Sequence, residues 1–241
     1  MPTEAGDTKL IGNFRRLIDQ LAGEPNYNPA NPALAVTALE IQYDAARAAI
    51  EAVSTKLATS KMAINSRQIA FEGLSPLIIR SRNLLRASGV SKAVLADAET
   101  LVRKLTGVRK SKVVKDDPNT PTNEAENQHS ASQMSFDNRL GNFSAYVAIL
   151  ANVPEYAPNE ADLKISALNA LLTSLQAKND AVSTTFVPLS QSRGTRDDLL
   201  YSNEDCVVNT ALLAKAYVAG ALGTSSNVYK QIKGLAFRRR E

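Results

Sequence analysis

Apolar side chains recur at three- and four-residue intervals along most of this chain, which is the spacing of one face of an α-helix. The clearest run consists of Leu34, Ala38, Ile41, Ala45, Ala48 and Ala52. Signals for strands are weak, because the β-branched runs are short and no Asn-Gly or Asp-Gly pair separates alternating segments. The pattern therefore predicts an all-α protein.

The same landmarks occur twice, 129 positions apart. Ile-Gly-Asn-Phe at residues 11–14 returns as Leu-Gly-Asn-Phe at 140–143, and Pro-x-Tyr-x-Pro at 25–29 returns at 154–158. The register then shifts by a few residues, and each copy closes on a glycine and a basic cluster. Ordered landmarks of this kind indicate internal duplication. We therefore predict two tandem four-helix-bundle-like repeats with pseudo-two-fold internal duplication, residues 1–108 and 136–241.

Residues 109–135 lie between the two copies and have the composition of a polar linker. They contain Pro118, Pro121 and very few large apolar side chains. Such a segment buries too little apolar surface to offset the entropy lost on ordering. The sole histidine of the chain, His129, lies in this linker, which favours a solvent-exposed role over a catalytic one.

Each copy has the pattern of four helices. In the first copy we expect them at about 8–22, 32–57, 60–87 and 91–106. In the second copy the first helix is expected at about 137–151, the third at 197–222 and the fourth from Ser225 to just before Gly234. Pro76 falls inside an expected third helix and predicts a kink there.

Gly12 and Gly141 fall inside the first expected helix of each copy. A glycine in a helix is less stable than alanine by about 1 kcal/mol. We therefore expect each glycine to allow the backbone of a neighbouring helix to approach closely.

Composition narrows the classes of function. The chain is 44% hydrophobic and 22% charged, which is typical of a folded protein. Charges throughout the first twenty residues argue against a secretory signal, and no apolar run reaches the roughly 18 residues of a membrane span. We therefore expect a soluble, cytoplasmic protein that makes no membrane contact.

No catalytic, cofactor-binding or metal site is expected. The single cysteine, Cys206, excludes an intramolecular disulfide, and with one histidine it cannot complete a Cys/His zinc site. A di-iron bundle needs two Glu-x-x-His sequences, and a nucleophile elbow needs Gly-x-Ser-x-Gly. Neither is present, so we predict that the protein is not an enzyme and has no cofactor.

Tyr27 and Tyr156 are candidate partner contacts, because each stands in a turn made rigid by two prolines. A ring displayed on such a turn could bind another protein. Alternatively, each ring packs over the end of its own bundle while the prolines fix the turn.

Two basic clusters are also candidate contact sites, and the net charge of +4 permits binding to phosphates or acidic proteins. The alternative is that these cations stabilise helix ends and keep the chain solvated. The residues concerned are Arg109, Lys110, Lys112, Arg238, Arg239 and Arg240.

Most of the chain, and the second copy most clearly, resembles a family of uncharacterised tandem-repeat helical proteins of Bacteroidota. The resemblance is carried by Ser-Phe-Asp-Asn-Arg at 135–139, Gly-Asn-Phe at 141–143, Glu-Tyr-Ala-Pro-Asn-Glu at 155–160 and Tyr-Lys-Gln-Ile-Lys-Gly-Leu at 229–235. It implies a helical fold and assigns no catalytic residue.

The leading functional hypothesis is a non-enzymatic protein-binding or scaffold protein built from duplicated helical bundles. Its partner would be another protein or a second copy of the chain. The alternative is binding of nucleic acid or another anionic polymer through the basic clusters.

Overall fold

A computed structural model describes residues 4–108 and 134–239. This part of the chain is helical and contains no strand, so the all-α prediction is confirmed. The helices are α1 Glu4–Ala22, α2 Val36–Glu72, α3 Leu74–Ala87, α4 Lys92–Thr106, α5 Phe136–Ala151, α6 Ile165–Asp197, α7 Val207–Ala221 and α8 Asn227–Ile232. Short 3₁₀ turns at Pro32–Leu34 and Ala161–Leu163 precede α2 and α6, and a π-helical turn, Asp198–Ser202, follows α6.

Serine side chains begin three of these helices. The hydroxyls of Ser91, Ser135 and Ser226 accept hydrogen bonds from backbone N–H groups three residues later. These N–H groups have no partner within the helix, so the serines stabilise the starts of α4, α5 and α8. Gly107 ends α4 with a φ of 72°, a left-handed conformation that favours glycine.

The expected boundary between the second and third helices of the first copy is wrong. α2 is continuous through residues 57–60 and ends at Glu72, next to Gly73. Pro76 lies in the first turn of α3, where a backbone N–H would have no partner within the helix. The chain therefore breaks before the proline, and the expected kink at Pro76 is not observed.

The expected third helix of the second copy, at about 197–222, is also wrong. α6 runs to Asp197 with Pro188 inside it, and the π-helical turn follows directly. The Asn203 N–H donates to the Asp198 carbonyl at 3.2 Å, and α7 begins only at Val207. The wider hydrogen bonding of the π turn ends α6 before the next helix starts.

The close helix approach expected at Gly12 and Gly141 is not observed. A Cβ built on either glycine would have no neighbouring atom within 4 Å. Both positions lie on exposed or half-exposed surface rather than in a tight helix crossing.

The described helices form two compact units. Unit 1 consists of Met1–Lys61 and Thr184–Glu241, and unit 2 consists of Met62–Ser183. α2 and α6 each run through a unit boundary, so each unit takes helices from both expected repeats. The compact units therefore do not coincide with residues 1–108 and 136–241, and the two-repeat organisation stays a prediction from the sequence.

Each unit has its own apolar core. In unit 1, Phe14, Leu17 and Leu21 of α1 pack with buried residues of α2, α7 and α8. In unit 2, Phe71, Phe143 and Leu105 lie in a core formed by the end of α2 with α3, α4, α5 and α6. Among the described residues, no helix has both the length and the apolar character needed to cross a bilayer.

Candidate protein-interaction sites

Both candidate tyrosines bond to backbone within their own turns. The Tyr27 hydroxyl donates to the Leu34 carbonyl at 2.7 Å, and the Tyr156 hydroxyl donates to the Leu163 carbonyl at 2.9 Å. The two bonds join equivalent positions, each spanning seven residues. These contacts are those that the packing interpretation predicts, and a partner contact by either tyrosine stays a prediction.

The environments of the two tyrosines differ. Tyr27 is half-buried, and its ring meets that of Tyr217 edge-to-face with centroids 5.4 Å apart. The pKa of Tyr27 is raised to about 12, mainly because burial removes water from its hydroxyl. The nearby Tyr217 adds to this rise. Tyr156 is only 6% exposed, so its ring presents very little surface.

Tyr156 belongs to a buried chain of hydroxyls in unit 2. The Ser81 hydroxyl lies 3.0 Å from the hydroxyls of both Tyr146 and Tyr156. Since Tyr156 donates to Leu163, its oxygen accepts from Ser81, and Ser81 in turn accepts from Tyr146. Each of the three hydroxyls thus donates its one proton to a hydrogen bond. Burial of the Tyr146 hydroxyl raises its pKa to about 12.

The structure describes two of the six basic candidate residues. Arg109, Lys110, Lys112 and Arg240 lie outside the described residues. Arg238 and Arg239 are exposed. The Arg239 guanidinium donates through Nε to Asn209 Oδ1 at 2.9 Å.

Arg239 belongs to a non-helical segment, Leu235 to Arg239, which lies against unit 1 and is here named the anchored segment. Its backbone bonds to side chains of α1 and α7. Asn13 Nδ2 donates to the Ala236 carbonyl at 3.2 Å, and Lys215 Nζ donates to the Leu235 carbonyl at 3.0 Å.

Phe237 is the apolar anchor of this segment. It is 7% exposed, and its ring meets Phe14 edge-to-face with centroids 6.5 Å apart. Lys215 Nζ lies 5.8 Å from the centre of the Phe237 ring. Partial burial lowers the Lys215 pKa, as expected for an ammonium group that has lost part of its hydration.

A second candidate surface is an uncharged stripe along α2, named here the α2 stripe. Its positions alternate by four and three residues, the spacing of a helix-pairing seam. All of them are exposed, and all lie in unit 1. They are Ile41, Ala45, Ala48, Ala52, Thr55 and Thr59.

The α2 stripe is more apolar than its sequence indicates. The hydroxyls of Thr55 and Thr59 donate to carbonyls one turn earlier, at 3.0 and 3.1 Å. Ile41 is 72% exposed. The stripe therefore presents methyl groups and one large apolar side chain.

Unit 1 also contains a buried ion pair. Asp7 and Arg196 are 0% and 5% exposed, with 3.3 Å between Asp7 Oδ2 and Arg196 Nε. Tyr201, in the π-helical turn, donates to Asp7 Oδ1 at 2.6 Å. Arg196 also bonds to Asp197 Oδ1 at 2.9 Å. The cluster is enclosed, so its role is to join α1 to the end of α6.

Unit 2 has a related arginine, since Arg67 and Arg196 are 129 positions apart. The Arg67 guanidinium lies 4.0 Å from the centre of the Phe136 ring and donates to Asn179 Oδ1 at 3.0 Å. Phe136 stands 129 positions after Asp7. The two arginines thus face side chains at equivalent positions. Arg196 faces the carboxylate of Asp7, and Arg67 faces the aromatic ring of Phe136.

No metal-binding arrangement is found among the described residues. Within 4–108 and 134–239 no group of three or more His, Cys, Asp or Glu side chains is placed to hold a metal ion. Cys206 is buried at the start of α7, and His129 lies outside the described residues.

Comparison of the chain with protein-family models, with curated proteins and with solved structures found no match. The resemblance to the Bacteroidota family stays a prediction. Sequence reasoning did not identify Asn13, Lys215 and Asn209 as residues that hold the anchored segment. Only Asn13 had a signal, since it lies in the repeated Gly-Asn-Phe sequence.

Proposed function

We propose that this is a non-enzymatic protein-binding or scaffold protein whose α2 stripe receives a helix of a partner protein. The observation that carries the proposal is the exposed heptad-spaced stripe on a helix of 37 residues. An amphipathic partner helix recognises its target through apolar contacts at this spacing.

Energetics favour a helix as the ligand of the α2 stripe. Covering Ile41 stabilises a complex by about 2 kcal/mol when its side chain becomes fully buried. The alanines and threonines that follow it allow a second helix to come close, because their side chains are short. A charged ligand gains little there, since the stripe carries no charge.

We also propose that the chain consists of two duplicated copies that have exchanged their second halves. The matching Tyr27–Leu34 and Tyr156–Leu163 hydrogen bonds and the paired positions of Arg67 and Arg196 support this interpretation. Each unit combines the first half of one copy with the second half of the other.

The test compares two full-length variants that each gain two positive charges. Ile41→Lys with Ala48→Lys places them on the α2 stripe, and Ser54→Lys with Ala58→Lys places them at exposed positions beside it. Proximity labelling in the source cell should give a set of neighbours that the stripe variant loses and the control retains. Equal labelling by both folded variants would refute docking at the stripe.

Self-association is the case in which the partner is a second copy. Sedimentation equilibrium then shows a concentration-dependent dimer that the stripe variant abolishes.

Binding of nucleic acid through the basic clusters stays the alternative prediction. It requires an affinity that falls steeply with salt and that decreases when Arg238 and Arg239 are replaced by glutamine.

A further inference from the structure

The anchored segment is held as a bound peptide rather than as part of a helix. In unit 2, α4 extends for 15 residues after its Ser91 cap, whereas α8 extends for only 6 after the matching Ser226. At the positions where α4 of unit 2 continues as a helix, the chain after α8 of unit 1 is non-helical. Its carbonyl groups therefore need partners other than helical N–H groups.

Side chains of unit 1 supply these partners. Asn13 and Lys215 donate to the carbonyls of Ala236 and Leu235. Lys215 also donates to the Lys233 carbonyl at 3.0 Å, so one ammonium group binds two carbonyls that are two residues apart. Contacts with main-chain carbonyls accept any sequence, and they provide affinity without specificity.

Specificity comes from Phe237 and Arg239. Phe237 packs on Phe14 with Lys215 beside its ring, in a pocket that leaves 7% of the residue exposed. Two residues later, Arg239 meets Asn209, whose Nδ2 donates to the Asn203 and Glu204 carbonyls at 3.3 and 3.2 Å. These bonds orient the amide so that its oxygen faces the arginine.

We infer that this surface between α1 and α7 is a peptide-binding site. Its ligand class is a non-helical segment of a partner protein with an aromatic residue followed two positions later by an arginine. The chain's own anchored segment occupies the site and competes with the partner. This site is separate from the α2 stripe, and the inference does not depend on docking at the stripe.

Competition within the chain sets the size of the expected effect. A tethered segment acts at an effective concentration of the order of millimolar. A free peptide with a dissociation constant of about 100 μM would therefore bind the intact chain about tenfold more weakly than a chain whose own segment is released.

The experiment uses the full-length chain carrying Phe237→Ala, with Arg238→Ala as the matched control because Arg238 is exposed. The probe is a fluorescein-labelled peptide with the sequence of residues 233–241, and binding is measured by fluorescence anisotropy. Phe237→Ala should bind it about tenfold more tightly than wild type and the control. A probe with alanine in place of its phenylalanine should lose this gain, as should Asn13→Ala added to Phe237→Ala.

Equal affinity of wild type and Phe237→Ala, or no binding to either at millimolar probe, would overturn the inference. If Phe237→Ala does not fold, hydrogen exchange on the wild-type chain decides the question. Excess probe should then speed exchange of the Leu235 N–H, which donates to the Ile232 carbonyl in the anchored state, and unchanged exchange overturns the inference. An alternative in which the segment of a second copy fills the site predicts a wild-type dimer that excess probe dissociates.

Discussion

Removing Asp7 from its buried ion pair with Arg196 should lower the free energy of unfolding by far more than the loss of one exposed ion pair would. The change is Asp7→Ala, which removes the buried carboxylate partner of Arg196, leaves only the half-exposed Asp197 beside it, and removes the acceptor of the Tyr201 hydroxyl. Both charged side chains are almost fully enclosed, at 1% and 6% exposure. A buried charge that loses its partner destabilises a protein by about 3–5 kcal/mol.

A double variant separates the cost of an orphaned charge from the value of the pair. Asp7→Leu with Arg196→Met replaces both charges by apolar groups of similar size. Because the desolvation cost disappears together with the attraction, this variant should be more stable than Asp7→Ala. Free energies of unfolding come from urea titration followed by circular dichroism.

The related arginine of unit 2 provides the control. Arg67 faces the Phe136 ring and the neutral Asn179, so Arg67→Met leaves no carboxylate unpaired there. It should cost about 1 kcal/mol, the order of a cation–π contact. A cost for Asp7→Ala no larger than that for Arg67→Met would refute the reasoning, as would a double variant less stable than Asp7→Ala.

Three further predictions concern local contacts. Gly12→Ala and Gly141→Ala should each raise the free energy of unfolding by up to about 1 kcal/mol, because alanine favours a helix and the new Cβ meets nothing within 4 Å; a lower urea midpoint would contradict this. Ser81→Ala should cost about 1–3 kcal/mol in the same assay, because it leaves the buried Tyr146 hydroxyl without its acceptor, and a neutral result would exclude the proposed proton order. Tyr27 and Tyr146, with pKa values raised to about 12 from 10.0, should ionise late when absorbance at 295 nm is followed against pH. Their contribution to stability is complete below pH 10 and is lost as the pH rises towards 12, so ionisation of every tyrosine near pH 10 in the folded protein would contradict the burial.

The sequence was sufficient to predict the fold class and several helix ends. Three- and four-residue spacing predicts the helices, and Ser91 caps α4 at the expected start. The cap of α8 is Ser226, one residue after the expected Ser225. The continuity of α2 through residues 57–60 was missed because its alanines, serines and threonines fit both a helix and a boundary. An apolar face predicts that a helix packs against others, but it does not identify the helices that cover it.

The same limit applies to the sites. Lys215 and Asn209 have no sequence signal, because a polar residue on an exposed helix face usually points to solvent. Their role depends on residues 235–239 returning to α1 and α7. Four residues of the α2 stripe, Ile41, Ala45, Ala48 and Ala52, stand at helical spacing in the sequence. Apolar residues at this spacing usually form a buried face, so the sequence did not mark them as an exposed surface.

The composition of the two units has a consequence for synthesis on the ribosome. Unit 2 is one continuous stretch, Met62–Ser183, whereas unit 1 joins Met1–Lys61 to Thr184–Glu241. Translation proceeds from the N-terminus, so α1 emerges long before α7 and α8, which cover its apolar face. We therefore expect unit 2 to fold first while the nascent α1 exposes Phe14, Leu17 and Leu21. During that interval these side chains are available to chaperones and to aggregation.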